Sequence, residues 1–248
     1  MIDYRWNIKD AVKVFLFYIL LMFIGMPVII RFIHMILGHY ALTPVGHRSV
    51  MLFVSLFSNI SVCCYVLHIV CVKYHQSIKA LGLSLVSLSD NTKHGIKLYL
   101  VTLPSIVLAG FFINWISSYY GNATDMQAVV RWVLEEQSTF ILVSLLLFGI
   151  IIAPIIEEII FRGFFQPALK NALGGRYAIV AGASLFAAVH MDAFAFLQIF
   201  ILGILLGYLY EKTKTLAASI VVHILHNSLT LIFLLYFKFF FKGKIPVF

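Results

Sequence analysis

The sequence predicts an all-α, polytopic transmembrane bundle of seven to eight helices with one or two interfacial helices. Three observations predict it. Hydrophobic residue types make up 62% of the 248 residues and charged types 11%, whereas a soluble domain is nearer half apolar and a quarter charged. The mean hydropathy is +1.01, so the chain could not cover its surface with polar groups in water, and a bilayer is the solvent that suits it. The apolar residues also fall into long runs without alternation, which excludes a β-barrel. Backbone groups in lipid must be satisfied within each segment, so the runs are helices.

The runs follow in order. Val14–Ile30 is the first, and no small-x-small site follows it, so it is expected to stay as an anchor rather than be cleaved as a signal peptide. Val50–Val72 is the second, and Leu98–Ile116 the third, with Pro104 inside it. Thr139–Ile156 is the fourth and runs past Pro154 into Glu157, Glu158 and Arg162. Tyr177–Val189 is short and ends at His190, and Ala193–Tyr210 and Leu216–Phe237 complete a set of seven. An eighth arises if the stretch after Pro154 forms its own helix. Gly203 and Gly207, four apart, make a smooth patch for close helix packing. Two segments read as interfacial: Ser77–Ser89, which contains Leu81-Gly82-Leu83, and Asp125–Gln137, which mixes Val129, Val130, Trp132 and Val133 with Arg131, Glu135 and Glu136.

Lysines and arginines in short loops set orientation. Arg5, Lys9, Lys13, Lys73, Lys79, Lys93, Lys97, Lys170, Arg176, Lys212 and Lys214 favour a cytoplasmic N-terminus. Lys238, Lys242 and Lys244 fit that side only if the number of crossings is even, so a seven-helix count conflicts with the charge rule at the C-terminus. The formal net charge is +8, but the basic residues flank apolar runs rather than forming a stripe with exposed aromatics, which excludes nucleic-acid binding. Cys63, Cys64 and Cys71 lie inside one apolar run and read as buried thiols with no disulfide or metal role.

Ionisable groups within apolar spans cost about 2.5–3.5 kcal/mol each for Asp, Lys or Arg, and persist when paired or functional. Here they gather in the last 100 or so residues. Glu158 and Arg162 are four apart, acid first, the favourable order for a helical ion pair. Glu157 is rotated by about 100° from Glu158 and has no partner on its own helix. A carboxylate in a poorly hydrated site can act as a general base, and a kink at Pro154, one turn earlier, would open space for water. The plainer alternative is a solvated cluster at the membrane edge. His190 alone would be an ordinary packing histidine. His223 and Asn227 share one helix face, whereas His226 lies off it and reads as structural or supporting. One carboxylate, two imidazoles and a carboxamide, from three helices, can bind and activate a water: Glu157 takes its proton, while His190, His223 and Asn227 orient it or stabilise an oxyanion. The same Glu157, His190 and His223 could instead hold a catalytic zinc, although the helical HExxH signature is absent. Metal-free and zinc-dependent chemistry both stay open. There is no GxSxG and no GxxxxGK[ST] loop.

These motifs resemble the CAAX-protease and bacteriocin-processing (CPBP, or Abi) family of intramembrane peptidases, whose pattern is EExxxR, FxxxH and HxxxN on successive helices. Here they read Glu157-Glu158-xxx-Arg162, Phe186-xxx-His190 and His223-xxx-Asn227. The resemblance covers roughly residues 139–230, the N-terminal helices matching only in hydrophobicity. One departure is the turn Lys212-Thr213-Lys214-Thr215, where relatives often carry glycine. The resemblance implies a single integral membrane domain over residues 1–248, with N-terminal helices and interfacial segments over 1–138 and a catalytic core over 139–237. It implies Glu157 as general base in a site with Glu158, Arg162, His190, His223 and Asn227, and a membrane-associated peptide, or a lipidated or leader-bearing one, as substrate. The expected location is a bacterial cell membrane. Two other functions compete: a non-catalytic immunity protein that sequesters a peptide in the same cavity, and a small transporter. The transporter is disfavoured because no internal repeat is visible.

Overall fold

The computed structural model describes residues 6–39, 43–120 and 128–241, except the side chains of residues 128 and 129. Among them are eight helices and no strand: α1 (Ile8–Leu37), α2 (Pro44–Lys73), α3 (Leu88–Tyr119), α4 (Ala128–Glu135), α5 (Thr139–Leu173), α6 (Gly175–Val189), α7 (Phe196–Thr213) and α8 (Ala217–Phe240). Six are long and apolar enough to cross a membrane, and α6 is a shorter apolar helix. The outward faces carry bare apolar side chains such as Leu16, Phe23, Val101 and Phe233, as lipid-facing surfaces require. The chain is an integral membrane helix bundle.

The apolar runs set the helix bodies and short polar residues set their starts. Asn7 caps α1 by accepting from the Lys9 and Asp10 amides at 2.9 and 3.3 Å, and Thr43 caps α2 by accepting from Gly46 at 3.1 Å, just before Pro44 at the first helical position. The sixth run starts its helix at Phe196 rather than Ala193, because the Asp192 carboxylate accepts from the Phe194 and Ala195 amides, each at 2.9 Å, and holds a turn there. Pro154 does not restart the helix. It is preceded by a π-helical turn at Phe148–Ile152, and a second lies at Ile159–Phe165. A proline ring clashes with the carbonyl four residues back in a regular α-helix, and the wider π turn accommodates it. α5 therefore runs on for 35 residues.

Side-chain contacts sort the helix ends into two groups. At one end Trp6 donates to Phe164 O (3.0 Å), Asp10 binds Lys73 and Tyr74, and Lys170 and Lys214 share Glu211. At the other end Arg48 spans Glu135 and Glu136, both at 3.0 Å, and the Lys238 ammonium donates to the carbonyls of Val133, Leu134 and Glu136. The start of α1 and the end of α8 thus lie at opposite ends of the bundle. Lys238, which the charge rule could not reconcile, is a cap on α4; Lys242, Lys244 and Arg5 lie outside the described residues.

α4 is the one two-turn helix of the two interfacial candidates, and Asp125, which opened that candidate, is outside the described residues. The other candidate is a single 3-10 turn, Ile78–Leu81, whose Leu81 is wholly buried. Leu81 rests on Gly163, where an added Cβ would sit 2.9 Å from its carbonyl oxygen, and Gly82 O accepts from the Leu216 amide at 2.8 Å. This turn ties α5 to the start of α8. The three cysteines are free, but none is buried as expected: Cys63 and Cys71 are half-buried and Cys64 is exposed; adjacent helical positions point about 100° apart, so both members of the pair could not face inward.

Apolar burial gives little drive for helices to associate in lipid, so close packing and polar contacts must hold them. α5 and α7 meet through three rungs with one spacing of 41 residues: Arg162 to Gly203 O (3.3 Å), Gln166 to Gly207 O (2.9 Å) and Lys170 to Glu211. An equal offset on rising numbers means that the two helices run parallel here. The expected glycine patch is present, with Gly203 against Ala183 and Phe186 of α6 and Gly207 against Gln166 and Ile179.

Candidate active site

The site assembles where α5, α6 and α8 meet. Glu158 is wholly buried and its Oε1 accepts from Arg162 Nη1 at 2.8 Å, the i,i+4 pair anticipated from spacing. Arg162 is held by two further contacts: its Nη2 reaches Gly203 O, and its guanidinium lies 4.2 Å above the Phe186 ring centroid. A buried ion pair survives when its donors and acceptors are engaged, and here both terminal nitrogens of the guanidinium donate while the Phe186 ring covers its plane.

His223, 3% exposed, bridges the two carboxylates. Its Nδ1 lies 3.0 Å from Glu158 Oε1 and its Nε2 lies 3.6 Å from Glu157 Oε2. An ionised carboxylate only accepts, so the short bond puts a proton on Nδ1. That leaves Nε2 facing Glu157, whose side chain is 21% exposed. Glu157 has no hydrogen bond on its own helix among the described residues, as its rotation demands, and the group that faces it from α8 is His223 Nε2, too far at 3.6 Å for a hydrogen bond. Tyr18 of α1 and Arg162 are its other electrostatic neighbours. Glu158 Oε2 is buried without a hydrogen bond among the described residues, since the nearby Ser219 hydroxyl donates to Leu216 O at 3.0 Å.

His190 ends α6 and is exposed. Its Nδ1 is 2.7 Å from Phe186 O, which fixes the proton there and leaves Nε2 as an acceptor. Its ring packs on Phe186 at 4.8 Å, and Phe186 also touches His223 at 5.6 Å and Phe161 at 5.2 Å. Phe186 is therefore the hub that joins His190 to the network. Asn227, one turn beyond His223, donates from Nδ2 to Gly149 O at 2.8 Å. His226, on another face, meets the Tyr99 hydroxyl of α3 at 3.1 Å.

The structure thus joins Glu157, Glu158, Arg162 and His223 directly, His190 through Phe186, and Asn227 through the backbone of α5. Sequence reasoning gave no role to Phe186, Gln166, Gly149 or Tyr18. Gln166 was legible as the next member of the period-four stripe Glu158, Arg162, Gln166, Lys170; the Gly149 contact left no local signal. A tetrahedral zinc with ligands near 2.0–2.1 Å spaces its donors by about 3.3 Å. Glu157 Oε2 and His223 Nε2 are near that spacing, but among the described residues no three His, Cys, Asp or Glu side chains gather as a metal-binding group. The donor set needed for zinc is therefore incomplete in this arrangement.

Comparison with known proteins bears on the same segment. The family model for Type II CAAX prenyl endopeptidase Rce1-like proteins matches residues 139–229, which contain every candidate residue from Glu157 to Asn227. The chain is 29% identical over 136 residues to "Putative membrane peptidase YdiL" of Bacillus subtilis (strain 168), covering 50% of this chain and 54% of that protein. It is 33% identical over 90 residues to "Membrane-embedded CAAX protease MroQ" of Staphylococcus aureus (strain USA300), covering 34% of this chain and 36% of that protein. The chain thus spans about half the length of one relative and about a third of the other. No solved structure matches it significantly. The resemblance read from the three motifs is borne out.

Proposed function

We propose that this chain, whose residues 139–229 belong to the CAAX-protease and bacteriocin-processing family, is an intramembrane endopeptidase that cleaves a membrane-associated peptide with Glu157 as general base. The supporting observation is the His223 ring set between two carboxylates, with Nδ1 committed to Glu158 and Nε2 turned toward Glu157. The buried Glu158–Arg162 pair holds the ring in one orientation, as carboxylate partners do for functional histidines elsewhere. Glu157, accessible and close to Nε2, takes a proton from a water molecule. The water oxygen adds to the carbonyl carbon of the scissile peptide. As the carbon–nitrogen bond breaks, the proton passes from Glu157 to the leaving nitrogen, and an acid and an amine result. The His190 Nε2, an acceptor once Nδ1 donates to Phe186 O, is available to orient the water, and the second N–H of Asn227 is available to donate to the carbonyl oxygen.

The substrate class is a peptide presented at the membrane, including lipidated or leader-bearing peptides, and the N-terminus lies in the cytoplasm of a bacterial cell. The test is cleavage by the full chain in proteoliposomes, supported by membrane peptidomics against the variant. Positioned acid–base groups contribute about 10²–10⁴-fold, so Glu157→Gln should lose activity on that scale while still accumulating in membranes. Undiminished processing by Glu157→Gln would overturn the reading, and retention of peptide binding with no cleavage by the wild type would favour the sequestering protein instead.

A further inference from the structure

A reaction that consumes water inside a bilayer needs a place to hold it, and Glu157 itself sits on an apolar span. A cavity of about 100 Å³ lies between α1 and α2, lined by Tyr18, Met22, Met26, Ser55, Ser58 and Asn59. Ser58 falls at the middle of the 30-residue helix α2, about 20 Å from either end at 1.5 Å per residue. Bulk water does not reach that depth along an apolar helix, yet three polar residues within about one helical turn, Ser55, Ser58 and Asn59, line the cavity there. Ser58 is 7% exposed, and its Oγ has no hydrogen-bond partner among the described residues. Asn59 commits Nδ2 to Ser55 O at 2.9 Å, which leaves its Oδ1 and a second N–H to engage. α1 turns π-helical at Leu21–Gly25, on the cavity wall, and such a turn is a frequent mark of a functional position.

We propose that this cavity is a membrane-embedded water site that supplies Glu157. At about 30 Å³ per molecule the space takes about three waters, each of which needs two to four polar partners, and Tyr18, Ser55, Ser58 and Asn59 provide them. Two observations link it to the site. Tyr18 both lines the cavity and is an electrostatic neighbour of Glu157, and α2 packs on the turn Ala153–Glu158 that carries Glu157. The supply role rests on the peptidase reading; the water site itself does not.

Three of the lining residues, Tyr18, Met22 and Met26, react readily with hydroxyl radical, so the native chain reports on its own cavity. Radiolytic footprinting of the full chain in lipid nanodiscs should oxidise Met22 and Met26, and the double variant Ser58→Val/Asn59→Leu should lower that oxidation several-fold while exposed Met191 stays unchanged. In the same variant the turnover number should fall with KM unaltered. Met22 and Met26 oxidation that is equal in the wild type and the variant overturns the proposal. So does a gain in thermal stability in Ser58→Ala, which is the response of a dry site relieved of an unpaired hydroxyl. Glu157→Gln separates the two readings: it should keep the Met22 and Met26 labelling while losing cleavage, and cleavage retained with labelling intact overturns Glu157 as the general base and leaves the water site standing.

Discussion

Asn227 donates its side-chain N–H to the carbonyl of Gly149 at 2.8 Å, five residues before Pro154. In the π turn there, the Ala153 amide bonds to Phe148 O, so the next amide in register, that of residue 154, would bond to Gly149 O. Proline has no such N–H. Asn227 supplies the donor that Pro154 removes, and the last motif thereby clamps α8 to the helix bearing Glu157.

Asn227→Ala should destabilise the chain by about 1–3 kcal/mol, the usual cost of a buried polar group left unpaired. Pro154→Ala restores a backbone donor, so the Asn227→Ala penalty should shrink in that background. A double-mutant cycle of thermal unfolding in detergent measures the coupling, and additive effects would show that the carbonyl does not depend on Asn227.

Removing one partner of the Glu158–Arg162 pair strands a buried charge, which costs about 3–5 kcal/mol. Arg162→Met should therefore reduce folded protein in the membrane sharply, and Glu158→Gln in that background should recover part of it. Arg162→Lys should not substitute, because a single ammonium cannot reach Glu158, Gly203 O and the Phe186 face together. Yield and melting temperature of the three variants decide the order.

The glycines of α5 and α7 should differ in their tolerance. At Gly163 a new Cβ would meet the Leu81 carbonyl, backbone, at 2.9 Å, whereas at Gly207 it would meet the side-chain amide oxygen of Gln166 at the same distance, a group that can turn aside where a backbone carbonyl cannot. Gly163→Ala should cost about 1–3 kcal/mol, in the range for overpacking, and Gly207→Ala clearly less. Melting temperatures that run the other way would refute the docking of Leu81 on Gly163.

Acid should loosen α4. Burial raises the Glu136 carboxyl, but the Ser138 amide and Arg48 outweigh it and hold the group below its ordinary 4.5. A depressed carboxylate adds stability that is complete above the ordinary value and is lost as pH falls through the folded one. Hydrogen exchange over residues 128–138 should therefore rise below pH about 4.5, and Glu136→Gln should abolish that pH step.

The positive-inside reading also meets a direct check. The two ends of the chain lie at opposite ends of the bundle, and Lys238 is spent on the carbonyls of α4. A C-terminal reporter should be active only outside the cell while an N-terminal one is active only inside; both on one side would contradict the seven-helix path.

Much of this was open to a reader of the sequence. Hydrophobic run length dictates helices in lipid because no other backbone arrangement satisfies its own hydrogen bonds there, and each of the seven runs forms a separate helix, the sixth starting three residues late. The Glu158–Arg162 pair was legible because both partners sit on one helix at a spacing that geometry converts to contact. What only the tertiary structure decided lies between helices: that His223 reaches both carboxylates, that Asn227 answers the proline at position 154, that Phe186 joins His190 to the site, and that a buried Leu81 turn closes on α5. Contacts between residues far apart in the chain depend on how helices rotate and slide against one another. In lipid that choice turns on small residues and a few polar groups rather than on hydrophobic pattern, so periodicity alone carries no trace of it.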